Sequence, residues 1–312
     1  MANAGGSMES RHRGRRLVIV AAVVVALVVG ALILWGIRPV VGAASAPAPA
    51  ATATPSATAT PTPTPTPAPR PTPTGFPANT TAYDVTSLPQ VNVFAVIPAL
   101  PVDGDRFGAF TGEQAVAHGG GAPVFADPTR PPVAYLPSQF PYGGTTVPVI
   151  QKQEHWIEVL LTGRQAVPSH GDSAQVTGWL RAQDVELAPI DTIVQVSISA
   201  RTIDIVHAGV PERIATDFAW GTPSTPTPRG RAFIMTEAVV PEYAYTRGHP
   251  IVYLSVQSPT LDGFGGEDVA VTAFHYHDQR SGPISNGCIR VDPSAITRLA
   301  QLPLGTPVII KD

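Results

Sequence analysis

Cys288 is the only cysteine in 312 residues and sits in Ser285-Asn286-Gly287-Cys288-Ile289-Arg290, with His275 and His277 lying 13 and 11 residues before it. A lone thiol has no intrachain disulfide partner, and it becomes a nucleophile when a nearby base or positive field favours the thiolate. Either imidazole is a candidate base, since residues two apart on a strand share a face. Gly287 allows a backbone turn that a side chain would obstruct. Backbone N–H groups at Gly287 and Cys288 are candidates to hold a tetrahedral oxyanion. Arg290 suits either a substrate carboxylate or a bidentate pair that braces the loop. Ser285 reads as a hydrogen bonder that shapes the loop. The set describes acyl transfer through a cysteine. His275, His277, Asp278 and Cys288 could also ligate zinc, but no second well-spaced ligand group accompanies them. The reading therefore carries no metal and no cofactor.

Strands and one helix must position these groups. Asp268-Val269-Ala270-Val271-Thr272-Ala273-Phe274-His275 reads as the strand that delivers the histidines. Asp292-Pro293 pairs an N-cap with proline at the first helical position and predicts a helix of about nine residues toward Gln301. Alternating runs at Thr192–Ile198, Arg201–Gly209, Arg231–Thr236 and Val252–Val256 predict further strands, and Val308-Ile309-Ile310 closes the chain as another. A Pro/Gly-rich loop, Gly221 to Gly230, follows Ile214–Trp220. This region, 191–312, reads as mainly β.

The start of the chain is different. Leu17 to Ile37 is a 21-residue run without charge, preceded by Arg11, Arg13, Arg15 and Arg16. At the helical rise it spans roughly 32 Å, enough for a bilayer core. The positive-inside rule then keeps residues 1–16 in the cytoplasm and exports everything beyond the run. A cleavable signal peptide is the alternative, but the apolar stretch exceeds the usual signal core. Residues 38–80 are rich in Ala, Pro and Thr and read as a disordered linker tending to polyproline II. The net charge of −3, with two lysines against 18 arginines, gives no general case for nucleic acid.

Residues 81–190 read as short strands between Gly and Pro, with Trp156 and Trp179 as core candidates and Tyr83 to Gly119 left as an unassigned lead-in. Trp156 to Val159 and Gly178-Trp179-Leu180 resemble two strands of bacterial SH3-like domains, a likeness that covers Gly120 to Leu187 and implies a small β barrel of the kind that often binds wall peptide or glycan.

Residues 191–312 resemble the catalytic domain of L,D-transpeptidases, the YkuD family. That family has a histidine at a strand end, a loop, then Ser/Thr-x-Gly-Cys-aliphatic-Arg/Asn, and Ser285 to Arg290 matches every fixed position. Thr227-Pro228-Arg229-Gly230 resembles a second landmark, with Phe233 displaced by one residue. The chain departs where the family histidine is followed by glycine, since Tyr276 stands there, and the histidine-to-cysteine loop is short. The resemblance implies a β-sandwich with one short helix, Cys288 as nucleophile, His275 as base with His277 as the alternative, and the Tyr276 carbonyl orienting the imidazole. It implies peptidoglycan stem peptides as donor and acceptor, 3→3 cross-links, release of terminal D-alanine, and acylation of the same cysteine by carbapenems. Water as acceptor would make the chain an L,D-carboxypeptidase. Two other readings remain at this stage: a sortase-like transpeptidase, which shares the order His, Cys, Arg, and a non-catalytic wall-binding protein.

Overall fold

The computed structural model describes residues 75–312, which belong to one structural unit, Pro69–Asp312. Residues 1–16, expected as a cytoplasmic tail, the apolar run Leu17–Ile37 and nearly all of the Pro/Thr-rich linker lie outside the described residues. Among the described residues no helix is long and apolar enough to cross a membrane.

Seven strands make the first part: β1 (Glu113–Ala117), β2 (Ala122–Val124), β3 (Ala134–Leu136), β4 (Thr146–Lys152), β5 (Trp156–Leu161), β6 (Val176–Arg181) and β7 (Val185–Pro189). Five of them form an antiparallel sheet in the order β6-β5-β4-β1-β7, and β2 and β3 pair as a ribbon. The likeness to an SH3-like barrel rests on the two tryptophan strands alone. Trp156 is fully buried, and its indole N–H donates to the Pro77 carbonyl at 2.8 Å. Phe76 packs edge-on against Trp179 with ring centres 5.6 Å apart. Phe76 and Pro77, expected in the linker, thus belong to the packed structure. The unassigned lead-in also has a structural role: it supplies Val91, Val93, Ile97 and Leu100 to the first core, and it contains β1.

The second part contains β8 (Thr192–Ser197), β9 (Thr202–His207), β10 (Val210–Ala215), β11 (Ala219–Gly221), β12 (Gly230–Ala238), β13 (Ile251–Gln257), β14 (Val271–Tyr276), β15 (Gly282–Ser285), β16 (Ile289–Val291) and β17 (Pro307–Lys311), with one helix, α1 (Pro293–Leu299). Hydrogen bonding runs in the order β10-β9-β8-β17-β12-β13-β14-β16-β11-β15. The hinge of this order is β12, whose first half pairs β17 and whose second half pairs β13. Its alternate residues serve two cores: Ala232 and Ile234 join the second, Phe233 and Met235 the first. With both faces buried, the strand's middle, Ala232 to Met235, is an uninterrupted apolar run, and it ties the two parts together.

Three sequence expectations shift. Helix α1 has 7 residues instead of about nine, because its last turn tightens: Gln301 N–H bonds Arg298 O at 3.3 Å and Leu302 N–H bonds Leu299 O at 3.2 Å. Asp292 caps it as expected, accepting from Ser294 and Ala295 N–H at 2.8 and 2.9 Å. Strand β14 starts at Val271, not Asp268, since the Asp268 and Val269 carbonyls are bonded within and across the preceding loop. The stretch Ile214–Trp220 is divided between the end of β10 and the start of β11.

Candidate active site

Strands β14 and β16 run parallel with Phe274 opposite Ile289, His275 opposite Arg290 and Tyr276 opposite Val291. Phe274, Tyr276, Ile289 and Val291 all belong to the second core. Alternation therefore turns Ala273, His275 and Arg290 to the opposite face, together with Cys288, which immediately precedes β16. This register brings residues 13 apart in the chain to one surface. Cys288 is partly buried and not disulfide-bonded, and its Sγ lies 3.9 Å from the Val271 carbonyl.

A cleft of about 170 Å³ opens on that face. His275, His277, Cys288 and Arg290 form its polar side, Leu261, Phe264, Ala270 and Val271 its apolar wall. Tyr245, Ser285 and Asn286 complete the lining, and no carboxylate is among these residues. No three of His, Cys, Asp and Glu are grouped as metal ligands would be, among the described residues.

The two histidines differ in tautomer. His275 Nδ1 lies 2.9 Å from the Tyr276 carbonyl, which only accepts, so Nδ1 carries the proton and Nε2 of the neutral ring is free. His277 Nδ1 instead accepts the Gln279 N–H at 2.9 Å, which leaves the proton of its neutral ring on Nε2. His277 lies just past the end of β14, so the shared strand face expected for it does not apply, although it still borders the cleft. Burial depresses the His275 pKa from 6.5 to about 4, with Arg290 and His277 adding to the shift and the Tyr276 carbonyl opposing it. Burial likewise raises the Cys288 thiol, against the Ala273 backbone N–H and Arg290. Both effects favour a neutral thiol beside a neutral imidazole. No hydrogen bond joins the two groups in this resting geometry, among the described residues.

Ser285 is buried and works locally, donating to Cys288 O at 2.6 Å and accepting Gly287 N–H at 3.1 Å. The Gly287 N–H expected for an oxyanion is thus occupied, leaving Cys288 N–H as the expected donor. Gly287 itself adopts φ +113°, a conformation side chains disfavour. Arg290 makes no bidentate pair: its closest acceptor is Gln279 O at 3.5 Å, and its buried Nε has no partner among the described residues.

Several contributors had no role assigned from the sequence, although Thr227 stood in the second family landmark. Thr227 accepts Gly221 N–H at 2.9 Å and donates to Gly287 O at 2.9 Å, and Thr225 donates to Ser285 O at 3.1 Å, so the Pro/Gly-rich loop braces the cysteine loop. Tyr245 stands edge-on to His275 with ring centres 5.3 Å apart and tilts over His277 at 5.7 Å. Burial raises its hydroxyl pKa to about 12. Exposed aromatics within loops, Tyr243-x-Tyr245 and Gly263-Phe264-Gly265, were the available signal. Beyond the cleft, Arg247 and the Tyr276 hydroxyl hold the Asp278 carboxyl well below the usual range, which joins the Tyr245 segment to the end of β14.

The sequence has no significant match among curated proteins. An L,D-transpeptidase from Mycobacterium smegmatis is 16% identical, with 51% of this chain and 91% of that chain covered and a TM-score of 0.31. L,D-transpeptidase 3 from Mycobacterium tuberculosis, in complex with a faropenem-derived adduct, is 15% identical over 51% of this chain and 92% of that chain, with a TM-score of 0.30. An Enterococcus faecium L,D-transpeptidase is 23% identical over 38% of this chain and 49% of that chain, with a TM-score of 0.27. At scores this low the structural likenesses carry no weight. The sequence of the second part does: residues 191–310, the span of its sheet and helix, match the YkuD family, the L,D-transpeptidase catalytic domain.

Proposed function

We propose that this chain is a peptidoglycan L,D-transpeptidase that forms 3→3 cross-links through a Cys288 acyl-enzyme. The observation that carries this is the shared face of His275 and Cys288 in a cleft free of carboxylates, inside the family-matched region. His275 Nε2 takes the thiol proton as Sγ attacks the carbonyl of the L-centre at the third residue of a tetrapeptide stem. Cys288 N–H faces the developing oxyanion. The C–N bond to the terminal D-alanine then breaks, its nitrogen takes the proton back from His275, and a thioester remains. The side-chain amine of a neighbouring stem then attacks the thioester carbonyl and passes its proton to His275 Nε2; the amide bond forms, the C–S bond breaks, and the leaving sulfur takes that proton back as a thiol.

His275 is the base and His277 is not, because only the His275 tautomer leaves Nε2 unprotonated. Arg290, whose buried Nε has no hydrogen-bond partner among the described residues, is suited to the stem's carboxylate. The apolar run Leu17–Ile37 is proposed as an uncleaved anchor that holds this site outside the membrane, testable by labelling Cys288 in intact cells with a membrane-impermeant maleimide.

The deciding experiment incubates the full chain with disaccharide-tetrapeptide and follows protein and muropeptides by mass. The expected result is a Cys288 thioester lacking D-alanine, then cross-linked dimers, with neither product from Cys288→Ala. Tripeptide monomers without dimers would identify water as acceptor and a carboxypeptidase. An unmodified cysteine and unchanged muropeptides would refute the proposal.

A further inference from the structure

Arg164 belongs to the first part of the chain, just beyond β5, yet its guanidinium ends in the loop that walls the cleft. The side chain is 1% exposed. Its backbone is fixed on both sides, with Arg164 N–H bonding Ala95 O at 3.0 Å and Ile97 N–H bonding Arg164 O at 2.9 Å. The preceding Gly163 is required there: a Cβ would stand 2.9 Å from the carbonyls of both Asn92 and Ala95. From this anchor Nη1 donates to Asp262 O at 2.9 Å and Nη2 to Asp268 O at 2.8 Å. Burial works against the charge, and the Asp262 and Asp268 carboxylates oppose that effect.

The two acceptors bracket a seven-residue loop, Asp262 to Asp268, whose tip carries Phe264. That loop and its flanks supply Leu261, Phe264, Ala270 and Val271, the apolar wall of the cleft. A planar fork that binds two carbonyls at once fixes their separation in a way a point charge does not. Other ties from the first part reach the same loop: Ser169 N–H donates to the Asp262 carboxylate at 2.9 Å, with its hydroxyl on the other oxygen. Gln257, which receives Ala270 N–H at 3.1 Å, donates to Val93 O at 2.8 Å.

The geometry points to Arg164 as a positioning residue for the donor-binding wall, so that the first part of the chain is a working component of the active site. This rests on the transpeptidase reading of the cleft. Arg164 touches no reacting atom; it holds the surface against which the stem peptide packs.

The test compares the full-length chain with its Arg164→Met, Arg164→Lys and Ser169→Ala variants, using disaccharide-tetrapeptide as donor and iodoacetamide as a small probe of Cys288. Arg164→Met should raise the donor KM by about tenfold with a smaller change in kcat, the signature of lost binding surface. Arg164→Lys should fall between it and wild type, since one ammonium does not span both carbonyls. Ser169→Ala, at an exposed site, should raise KM by roughly threefold, as expected for one lost hydrogen bond. Alkylation of Cys288 should keep the wild-type rate throughout. An unchanged KM in Arg164→Met overturns the inference, as does a joint fall in kcat, alkylation and thermal midpoint, which marks a merely structural role. If Arg164→Met does not fold, Ser169→Ala decides by the same criterion. A wild type inert to the tetrapeptide refutes the transpeptidase reading itself, whereas an active wild type matched by its variants refutes only the role of Arg164.

Discussion

The resting state of the Cys288–His275 pair can be tested by pH alone. The displacement of the His275 pKa from 6.5 to about 4 favours the neutral ring by about 3 kcal/mol. Burial also lifts the thiol above its ordinary value of 9.0. The proton should therefore rest on sulfur and move only as the acyl donor is attacked. Iodoacetamide alkylation, followed by mass spectrometry, reports the thiolate directly. Its rate should climb about tenfold per pH unit through the neutral range, because the thiolate fraction does so below the thiol pKa. His275→Gln should leave that profile nearly unchanged, while acylation by the tetrapeptide falls by about 10²- to 10⁴-fold through loss of the base. A rate that stays flat from about pH 5 to 8 would reveal a preformed thiolate–imidazolium pair and refute the reasoning. The same shift bears on stability. Since the folded-state pKa lies below the unfolded one, the native chain binds fewer protons between them. The contribution is complete above 6.5 and is lost as pH falls through about 4. Urea denaturation should register a loss of up to about 3 kcal/mol that His275→Gln does not show.

Further expectations concern the supports. Ser285→Ala removes the bonds to Cys288 O and Gly287 N–H and leaves buried backbone groups unpaired, so kcat/KM for acylation should drop roughly tenfold or more. Asp103→Ala strands the Arg231 guanidinium, whose ion pair is 2.6 Å long with side chains only 5% and 3% exposed; denaturant titration should show a loss of about 3–5 kcal/mol. Asp292→Ala removes the cap of α1 and should cost about 1 kcal/mol in the same assay, with little change in chemistry.

The candidate reactive groups were legible in the sequence because their pattern is local. A glycine before the lone cysteine, a histidine ending an alternating strand and an aspartate before Pro293 act within a few residues of themselves, so their types and spacing suffice to place them. The mainly β character follows in the same way from period-two alternation and turn residues. What could not be read is set by pairing between distant strands. The parallel register of β14 and β16 turns His275 and Arg290 to one face, and the strand ends one residue before His277. The proposed choice between the histidines rests on the partner each Nδ1 meets, an accepting carbonyl for His275 and a donating N–H for His277, and that depends on where β14 stops. Arg164 reaches carbonyls 98 and 104 residues away, and Thr227 reaches one 60 residues away. No periodicity encodes such contacts. Residue type and spacing singled out the candidate reactive groups; only the packing of β12 between two cores, and the loops it brings together, decided what stands beside them.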